Sequence, residues 1–224
     1  AHANLAFANV YLDRQADAEN ALQRASARKL DSTDSSILRY YLAFLRADRE
    51  KPLSRELVIG QWGLVPWFAK TAKLTYSTNN ARFEEITTKA SFKSSWSYGK
   101  RCIIPAVSFD EPNWESGKNV WWRFRRADGA PWGLAGLWNT WTDKTTGEVV
   151  ESYTMLTLNA DIHPLMNRMH RPDPKLGPDR QDKRSVVPIE LEDVDAWLNG
   201  SPEAAAALVR LAPAQVFDAG PVAP

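Results

Sequence analysis

Cysteine is almost absent from this chain, in which Cys102 is the only one among 224 residues. A single thiol excludes an internal disulfide framework and is consistent with a reducing compartment, so we expect a cytoplasmic protein. Cys102 stands in an apolar run, so we expect its thiol to be buried and inert rather than nucleophilic.

An excess of charge of one sign is also missing, since 28 Lys and Arg face 27 Asp and Glu. With a net charge of +1, any anionic partner must meet a local basic patch. No apolar run is long enough to span a bilayer and no signal-peptide pattern is present, so we expect no membrane partner. Histidine is scarce as well, with three residues in the whole chain.

Tryptophan, in contrast, is abundant, with ten residues. One interpretation is packing, because large aromatic side chains carry much of the burial in β-rich domains. The alternative is a stacking platform for bases or sugars. Several tryptophans stand in a repeating context: Trp62, Trp67, Trp121, Trp122, Trp132, Trp138 and Trp141.

The pattern of apolar residues predicts a largely antiparallel sheet with flanking helices. Val120–Arg126 alternates, with Trp122 and Phe124 on one face and Arg123 and Arg125 on the other. Asp128-Gly129 then predicts a hairpin turn. Further strands are expected at 57–59, 132–141, 151–158 and 186–189, and helices at 13–29, 91–98, 190–198 and from 202 onward.

No clear boundary divides the chain, so we expect one domain over residues 1–224. Its amino-terminal part, residues 1–56, is atypical. The tail over residues 212–224 is rich in Pro and Ala, and we expect it to run over the surface.

The stretch from Arg101 to Glu111 is the one around which a site can be built. Cys102–Ile104, closed by Pro105, predicts a short buried strand that ends at its proline. A carboxylate at the end of such a strand is held rigidly in a lowered dielectric, which raises its pKa and suits it to proton transfer. The simpler alternative for Glu111 is a solvated acidic turn.

Two other polar clusters accompany this carboxylate. Asn80 and Arg82 lie in a segment that we expect to lead into a helix, and His163 and His170 lie in a polar loop after a core strand. A lone histidine is usually structural. Two histidines together with an asparagine–arginine segment and a strand-end glutamate indicate a site.

Taken in order, these segments resemble the SOS-response-associated peptidase (SRAP) family of abasic-site-processing proteins. The resemblance spans roughly residues 57–198, and although each motif alone is weak, five motifs in the family's order are a specific signal. The motifs are Trp62-Gly63-Leu64-Val65-Pro66-Trp67, Asn80-Ala81-Arg82, Arg101-Cys102-Ile103-Ile104-Pro105-Ala106 followed by Phe109 and Glu111, Leu134-Ala135-Gly136-Leu137-Trp138, and the histidine loop 159–172.

The resemblance implies a single α+β domain built on a barrel-like sheet, with a basic cleft for single-stranded DNA carrying abasic sites. It implies that an amino-terminal cysteine attacks the ring-opened aldehyde and that its thiol and amine close a thiazolidine, which links protein to DNA. The same cysteine would remove a propeptide where one exists. We expect a monomer that needs no cofactor and no metal.

The resemblance also assigns roles by position. Asn80 would orient the terminal residue, Glu111 would act as general acid/base on the sugar, and His170 would be the catalytic histidine, with His163 as the second candidate. Arg82 would pair with phosphate. The further residues expected to bind DNA are Trp67, Lys89, Arg123, Arg125 and Arg168.

One departure from the family concerns the nucleophile. The family opens Met-Cys, whereas this chain opens Ala1-His2-Ala3-Asn4, so His2 occupies the place of the cysteine. If His2 replaces the nucleophile, no thiazolidine can form; if residues precede Ala1, the chemistry survives. The alternatives to a crosslinking enzyme are a non-catalytic reader of single-stranded DNA and a tryptophan-lined carbohydrate-binding module, which the basic residues disfavour.

Overall fold

The computed structural model describes residues 41–51 and 54–222, so His2 and the helix predicted at 13–29 lie outside the described residues. The strands are β1 Tyr41–Ala47, β2 Arg55–Trp62, β3 Asn80–Arg82, β4 Arg101–Ala106, β5 Phe109–Asn113, β6 Val120–Arg126, β7 Trp132–Thr142, β8 Val149–Asn159, β9 Arg184–Val186 and β10 Phe217–Pro221. The α-helices are α1 Ala90–Ser97, α2 Val194–Asn199 and α3 Pro202–Ala207.

The main sheet closes on itself as a barrel. Its strands follow the order β2-β1-β4-β7-β8, and a parallel contact of β2 with β8 joins the two ends. Strand β3 continues along the same side of β8, also parallel, and β9 pairs antiparallel with the far end of β8. The predicted α+β, barrel-like and largely antiparallel architecture is therefore confirmed.

The barrel core lies under β7, whose residues from Trp132 to Asn139 are all buried. Gly136 stands where three strands approach most closely. A Cβ on this residue would lie 2.7 Å from the Thr154 carbonyl oxygen and 2.8 Å from Cys102 Sγ. Because both neighbours belong to the barrel, any side chain at this position would force the strands apart.

A second sheet of three strands, in the order β10-β6-β5, packs on the barrel. Phe109 of β5 stacks on Phe124 of β6 with ring centroids 5.1 Å apart, and Phe217 of β10 meets Phe124 edge-on at 5.9 Å. Phe109 and Phe217 also contact Trp132 of the barrel. This aromatic cluster fixes the small sheet relative to β7.

Two local predictions differ from the structure. Strand β4 continues through Pro105 to Ala106, with Pro105 opposite Gly133 of β7, so the prediction that the proline ends the strand is wrong. The register pairs β1 with β4 only at Ile103, so toward Pro105 the strand has a single neighbour. A proline, which lacks an N–H, is tolerated on such an edge.

The tail also differs from its prediction in one respect, because residues 217–221 form the edge strand β10 against residues 122–126 of β6, where no strand was predicted. One aromatic side chain, Phe217, explains the difference by entering the cluster with Phe109 and Phe124. The helix predicted from residue 202 is confirmed, and the Ser201 hydroxyl caps it by accepting from the Ala204 N–H. None of the helices in the described part of the chain has the length and apolar character needed to cross a membrane.

Candidate functional site

Strand alternation in β5 decides which way its carboxylates point. Glu111 lies opposite Trp122 and on the same face as Phe109, which packs toward the barrel. Asp110 points to the other face, where its two oxygens accept from Arg123 at 2.8 Å each. Of two adjacent carboxylates, one is therefore ion-paired on the outside and the other is carried inward.

The inward carboxylate lies in a poorly solvated environment. The Glu111 side chain is 19% exposed. Its pKa is raised from 4.5 to about 7, first because burial disfavours the charged form and second because the Asp110 charge lies nearby. A carboxyl group with this pKa is partly protonated at neutral pH and can act as a proton donor or acceptor.

His170 is brought to Glu111 by contacts between its loop and β5. The His170 N–H donates to the Pro112 carbonyl at 2.6 Å, and Met169 bridges to Asn113. From the other side, the buried Lys183 ammonium donates to the carbonyl oxygens of Met169 and His170 at 2.7 and 2.6 Å. His170 itself has a φ of 60°, a left-handed conformation that a non-glycine residue adopts only when its surroundings impose it.

The two side chains meet at Nε2 of His170 and Oε2 of Glu111, which lie 3.3 Å apart. Nε2 is buried and has no hydrogen-bond partner of good geometry among the described residues. The pKa of His170 is lowered, mainly by burial and then by the Lys183 charge, against smaller opposing contributions from the Arg184 backbone and Asp182. The pair is therefore poised to share or exchange one proton.

Asn80 completes the site from the barrel side. It begins β3, opposite Met155 of β8, and the amide of its exposed side chain has no hydrogen-bond partner among the described residues. Asn79, the preceding residue, has the structural role, because its Nδ2 donates to the Trp62 carbonyl at 3.0 Å. The amide of Asn80 is consequently free to contact a ligand.

The structure brings the predicted residues Asn80, Glu111 and His170 together around one cavity of about 200 Å³. Its other lining residues are Arg82, Met155, Thr157, Arg184, Ser185 and Val186. The catalytic roles of these side chains stay predictions, but their convergence is a feature of the fold.

Two arginines border this cavity, and both are held by carboxylates. Arg82, predicted to contact phosphate, forms an ion pair with Asp182. Arg184, which sequence reasoning missed as a site residue, pairs with Glu84 at 2.7 Å and with Asp182 at 3.2 Å. The available signal was the Lys183-Arg184 pair at the start of β9, downstream of the histidine loop.

His163 is not brought to the cavity. It is buried, its Nε2 lies 2.8 Å from the Ala212 carbonyl, and its Nδ1 accepts from the backbone N–H groups of Leu165 and Met166. Since Nδ1 accepts, the proton resides on Nε2 and is donated to Ala212. His163 therefore fastens its own loop to the chain beyond α3.

Two of the predicted DNA contacts lie on the opposite face of the small sheet from Glu111. Arg123 and Arg125 of β6 share the outer face of the small sheet with Asp110 of β5 and Asp218 of β10, as alternation requires. Arg123 and Arg125 therefore do not line the cavity that holds Glu111, and their predicted part in a basic groove for DNA stays a prediction.

The remaining predicted contacts also lack direct access to the cavity. Lys89 pairs with Glu85 at 3.2 Å, and Arg168 pairs with Glu115 at 2.6 Å and stacks over Trp122. Trp67 is 68% exposed and does not line the cavity.

The single cysteine is unsuited to nucleophilic attack. Cys102 is fully buried, and burial raises the pKa of its thiol well above the ordinary value. Among the described residues no cluster of three or more His, Cys, Asp or Glu side chains could hold a metal ion.

Comparison with known proteins places these features in a family. The model of the SOS response associated peptidase (SRAP) family matches residues 9–224. An abasic site processing protein of Xenopus tropicalis, HMCES, is 32% identical over 52% of this chain and 40% of its own length, and YoaM of Bacillus subtilis is 34% identical over 49% and 47%. The chain thus spans about half the length of these curated relatives.

Solved structures show the same fold. A crystal structure of a Bordetella bronchiseptica protein superposes with a TM-score of 0.72 at 37% identity, covering 83% of this chain and 85% of that one. A Bacteroides thetaiotaomicron protein reaches a TM-score of 0.68 at 21% identity, covering 91% and 88%.

Proposed function

Because this chain belongs to the SRAP family, we propose that it processes abasic sites in DNA and that it engages them in a single strand. Relatives that bear the name abasic site processing protein motivate the substrate. The observation that carries the proposal is the partly enclosed pair of Glu111 and His170, with the free amide of Asn80 on the same cavity wall.

The size of the cavity supports a substrate that has lost its base. About 200 Å³ is smaller than the roughly 300–1,000 Å³ of ordinary small-molecule pockets. It suits a compact sugar better than a complete nucleoside. Asn80 offers one amide donor and acceptor pair at this wall, and Arg82 and Arg184 stand close enough to the cavity to meet the adjoining phosphates.

The chemistry that fits the pair is opening of the abasic sugar. In this step the protonated Glu111 carboxyl gives its proton to the ring oxygen, while the hydroxyl on the anomeric carbon gives up its proton to a base, for which neutral His170 is the nearest group. The ring C–O bond breaks and the aldehyde forms, with no net gain or loss of protons. A carboxyl pKa of about 7 supports this role because both protonation states are then populated near neutrality.

The covalent step requires a thiol and an amine at the chain terminus. We propose that an amino-terminal cysteine attacks the aldehyde, that water is lost, and that thiol and amine together close a thiazolidine. The same thiol would cleave a propeptide preceding it. Cys102 cannot substitute for this group, because it is buried in the barrel.

The experiment compares two chains on single-stranded DNA with one abasic site. The chain as printed is expected to bind without a covalent product, and a variant with cysteine at its amino terminus is expected to give an adduct that survives heating in denaturant. A heat-stable adduct from the printed chain would contradict the assignment of the nucleophile. Abasic-selective binding with no adduct from either chain would favour a non-catalytic reader of single-stranded DNA.

A further inference from the structure

A second cavity, of about 430 Å³, lies on the other side of His170. His170 lines both cavities, so the two sites share one side chain as a wall. The second cavity is bordered by Trp114 and Asn167 and by the segment 172–181 that follows the histidine loop.

The wall formed by this segment is fixed by its own side chains. Gln181 Nε2 donates to the carbonyl oxygens of Leu176 and Gly177 at 2.9 and 3.0 Å, and its Oε1 accepts from the Asp173 N–H at 2.7 Å. The side-chain amide of Gln181 therefore holds the turn through three hydrogen bonds. A wall held by the chain's own hydrogen bonds lowers the cost of ordering it around a ligand.

The two cations that line this cavity already have partners of their own. Arg168 is paired with Glu115, and the Lys183 ammonium donates to two backbone carbonyls. Asp161 accepts from the backbone N–H groups of Asp182 and Lys183. The carboxylates of Glu115, Asp161 and Asp173 also line the cavity, and because they repel an anion the cavity favours a neutral ligand over a phosphate.

The groups that remain available suit a flat ring with polar edges. Trp114 and Pro172 offer apolar surface, and Leu176 is 46% exposed at the rim. The side-chain amide of Asn167 has no hydrogen-bond partner among the described residues and can both donate and accept. Arg171 lies 5.4 Å from the Trp114 ring, and no carboxylate of the described residues lies within ion-pair distance of it.

We propose that this second cavity holds the nucleobase of the nucleotide next to the abasic sugar. The base packs on Trp114 and Leu176, its edge meets Asn167, and its phosphate lies near Arg171. The position of His170 between the two cavities supports this assignment. When a DNA strand places its abasic sugar against Glu111, a neighbouring nucleotide lies on the far side of the His170 side chain. The inference rests on the proposed function and adds to it a site that reads the flanking base.

The test uses short single strands that carry one stable abasic analogue and, on one flank at a time, either a base or a second abasic analogue. A base on one of the two flanks is expected to tighten binding about 5- to 150-fold, the range for one base stacked on an aromatic side chain. Trp114→Ala is expected to abolish this flank dependence, whereas Trp121→Ala, exposed on the outer face of the small sheet, should leave it intact.

Two exposed substitutions keep the test decisive if Trp114→Ala does not fold. Leu176→Ser should weaken the flank dependence severalfold, and Asn167→Ala should remove any preference among the four bases. If the unmodified chain prefers abasic DNA but ignores both flanking bases, the pocket proposal is wrong while the proposed function stands. If it shows no preference for abasic DNA at all, the proposed function itself fails.

Discussion

Oε2 of Glu111 and Nε2 of His170 lie 3.3 Å apart in a site where burial opposes the charged form of each. Burial raises the pKa of the carboxyl to about 7 and lowers the pKa of the imidazole below its ordinary value, so the order of the two pKa values is the reverse of that in water. In water the carboxyl would lose its proton well before the imidazole. Near neutral pH the Glu111 carboxyl is therefore partly protonated, while burial keeps the His170 imidazole largely neutral.

The first prediction concerns the pH dependence of adduct formation. Ring opening needs protonated Glu111, so the single-turnover rate with the amino-terminal-cysteine variant should fall as the pH rises through about 7, approaching tenfold per pH unit. Glu111→Gln should lower the rate by about 10²–10⁴ and remove this limb of the profile. Binding of a stable abasic analogue should change little. A profile that keeps its limb in the Gln variant would assign the titration to another group.

The second prediction concerns stability and its sign. The pKa of Glu111 is higher in the folded chain than its ordinary 4.5, so the folded state loses stability as the pH rises through about 7. Glu111→Gln removes this loss. The change that the substitution causes in the free energy of unfolding should therefore be more stabilising at alkaline pH than near pH 4, by up to roughly 3 kcal/mol. Urea titrations at the two pH values measure the difference.

A matched control for this measurement is Glu115→Gln. The pKa of Glu115 is lowered by its hydrogen bonds with Arg168 and Asn113, so it contributes stability above its ordinary pKa and the substitution should have the opposite sign. Equal effects of Glu111→Gln at both pH values would show that its carboxyl is not perturbed by burial.

The third prediction makes Lys183 a positioning residue for His170. Lys183→Met leaves the Met169 and His170 carbonyls without their ammonium donor, which should cost about 1–3 kcal/mol of stability and slow adduct formation. Because the Lys183 charge lowers the pKa of His170, that pKa should rise in the variant, as followed by NMR. Lys144→Met, in an exposed turn, should change neither quantity. An unchanged His170 pKa would rule out the coupling.

The fourth prediction separates two adjacent asparagines. Asn80→Ala should leave thermal stability almost unchanged, since its amide has no hydrogen-bond partner among the described residues, and should slow adduct formation if it orients the terminal residue as proposed. Asn79→Ala should do the reverse and lower stability by about 1 kcal/mol, because it removes a hydrogen bond to the Trp62 carbonyl. The assignment fails if Asn80→Ala destabilises the fold as much as Asn79→Ala.

The fifth prediction locates the DNA backbone by salt dependence. Arg82→Gln and Arg184→Gln should each lower the slope of log affinity against log salt by about 0.7, the value for one phosphate contact of a single strand. Arg123→Gln and Arg125→Gln should leave the slope unchanged, because these side chains face away from Glu111. Asp182→Asn, which frees Arg82, should strengthen binding. Slope changes only in the outer-face variants would move the DNA path to that face.

The strands were predictable wherever alternation or an unbroken apolar run was strong. The alternation in Val120–Arg126 predicted both faces of β6 correctly. Arg123 and Arg125 do not line the Glu111 cavity because they lie on the face opposite to Phe124. Drawing that conclusion required the register of β5 against β6. The ion pair of Asp110 with Arg123 depends on how the two strands pair, and the sequence of neither strand alone predicts it.

The choice between the two histidines illustrates what local sequence does not contain. His163 and His170 lie in the same polar loop, and their roles diverge because distant groups contact them: Ala212 for one and Lys183 for the other. Arg184 was missed for the same reason, since only the pairing of β9 with β8 brings it to the cavity. β10 was missed because the Pro- and Ala-rich composition of the tail is typical of a segment without a strand. The packing of one side chain, Phe217, against Phe124 holds it in the small sheet.

Strand β8 is a shared backbone for both the barrel and the site. It pairs with β7 and β9 along one edge and with β2 and β3 along the other, and the residues opposite it include Asn80 and Arg82. Amide protons in the middle of such a strand exchange with solvent only when the whole domain opens. Deuterium uptake at residues 155–157 should therefore follow global unfolding. Heat or denaturant should then not unfold the site locally while the barrel stays folded.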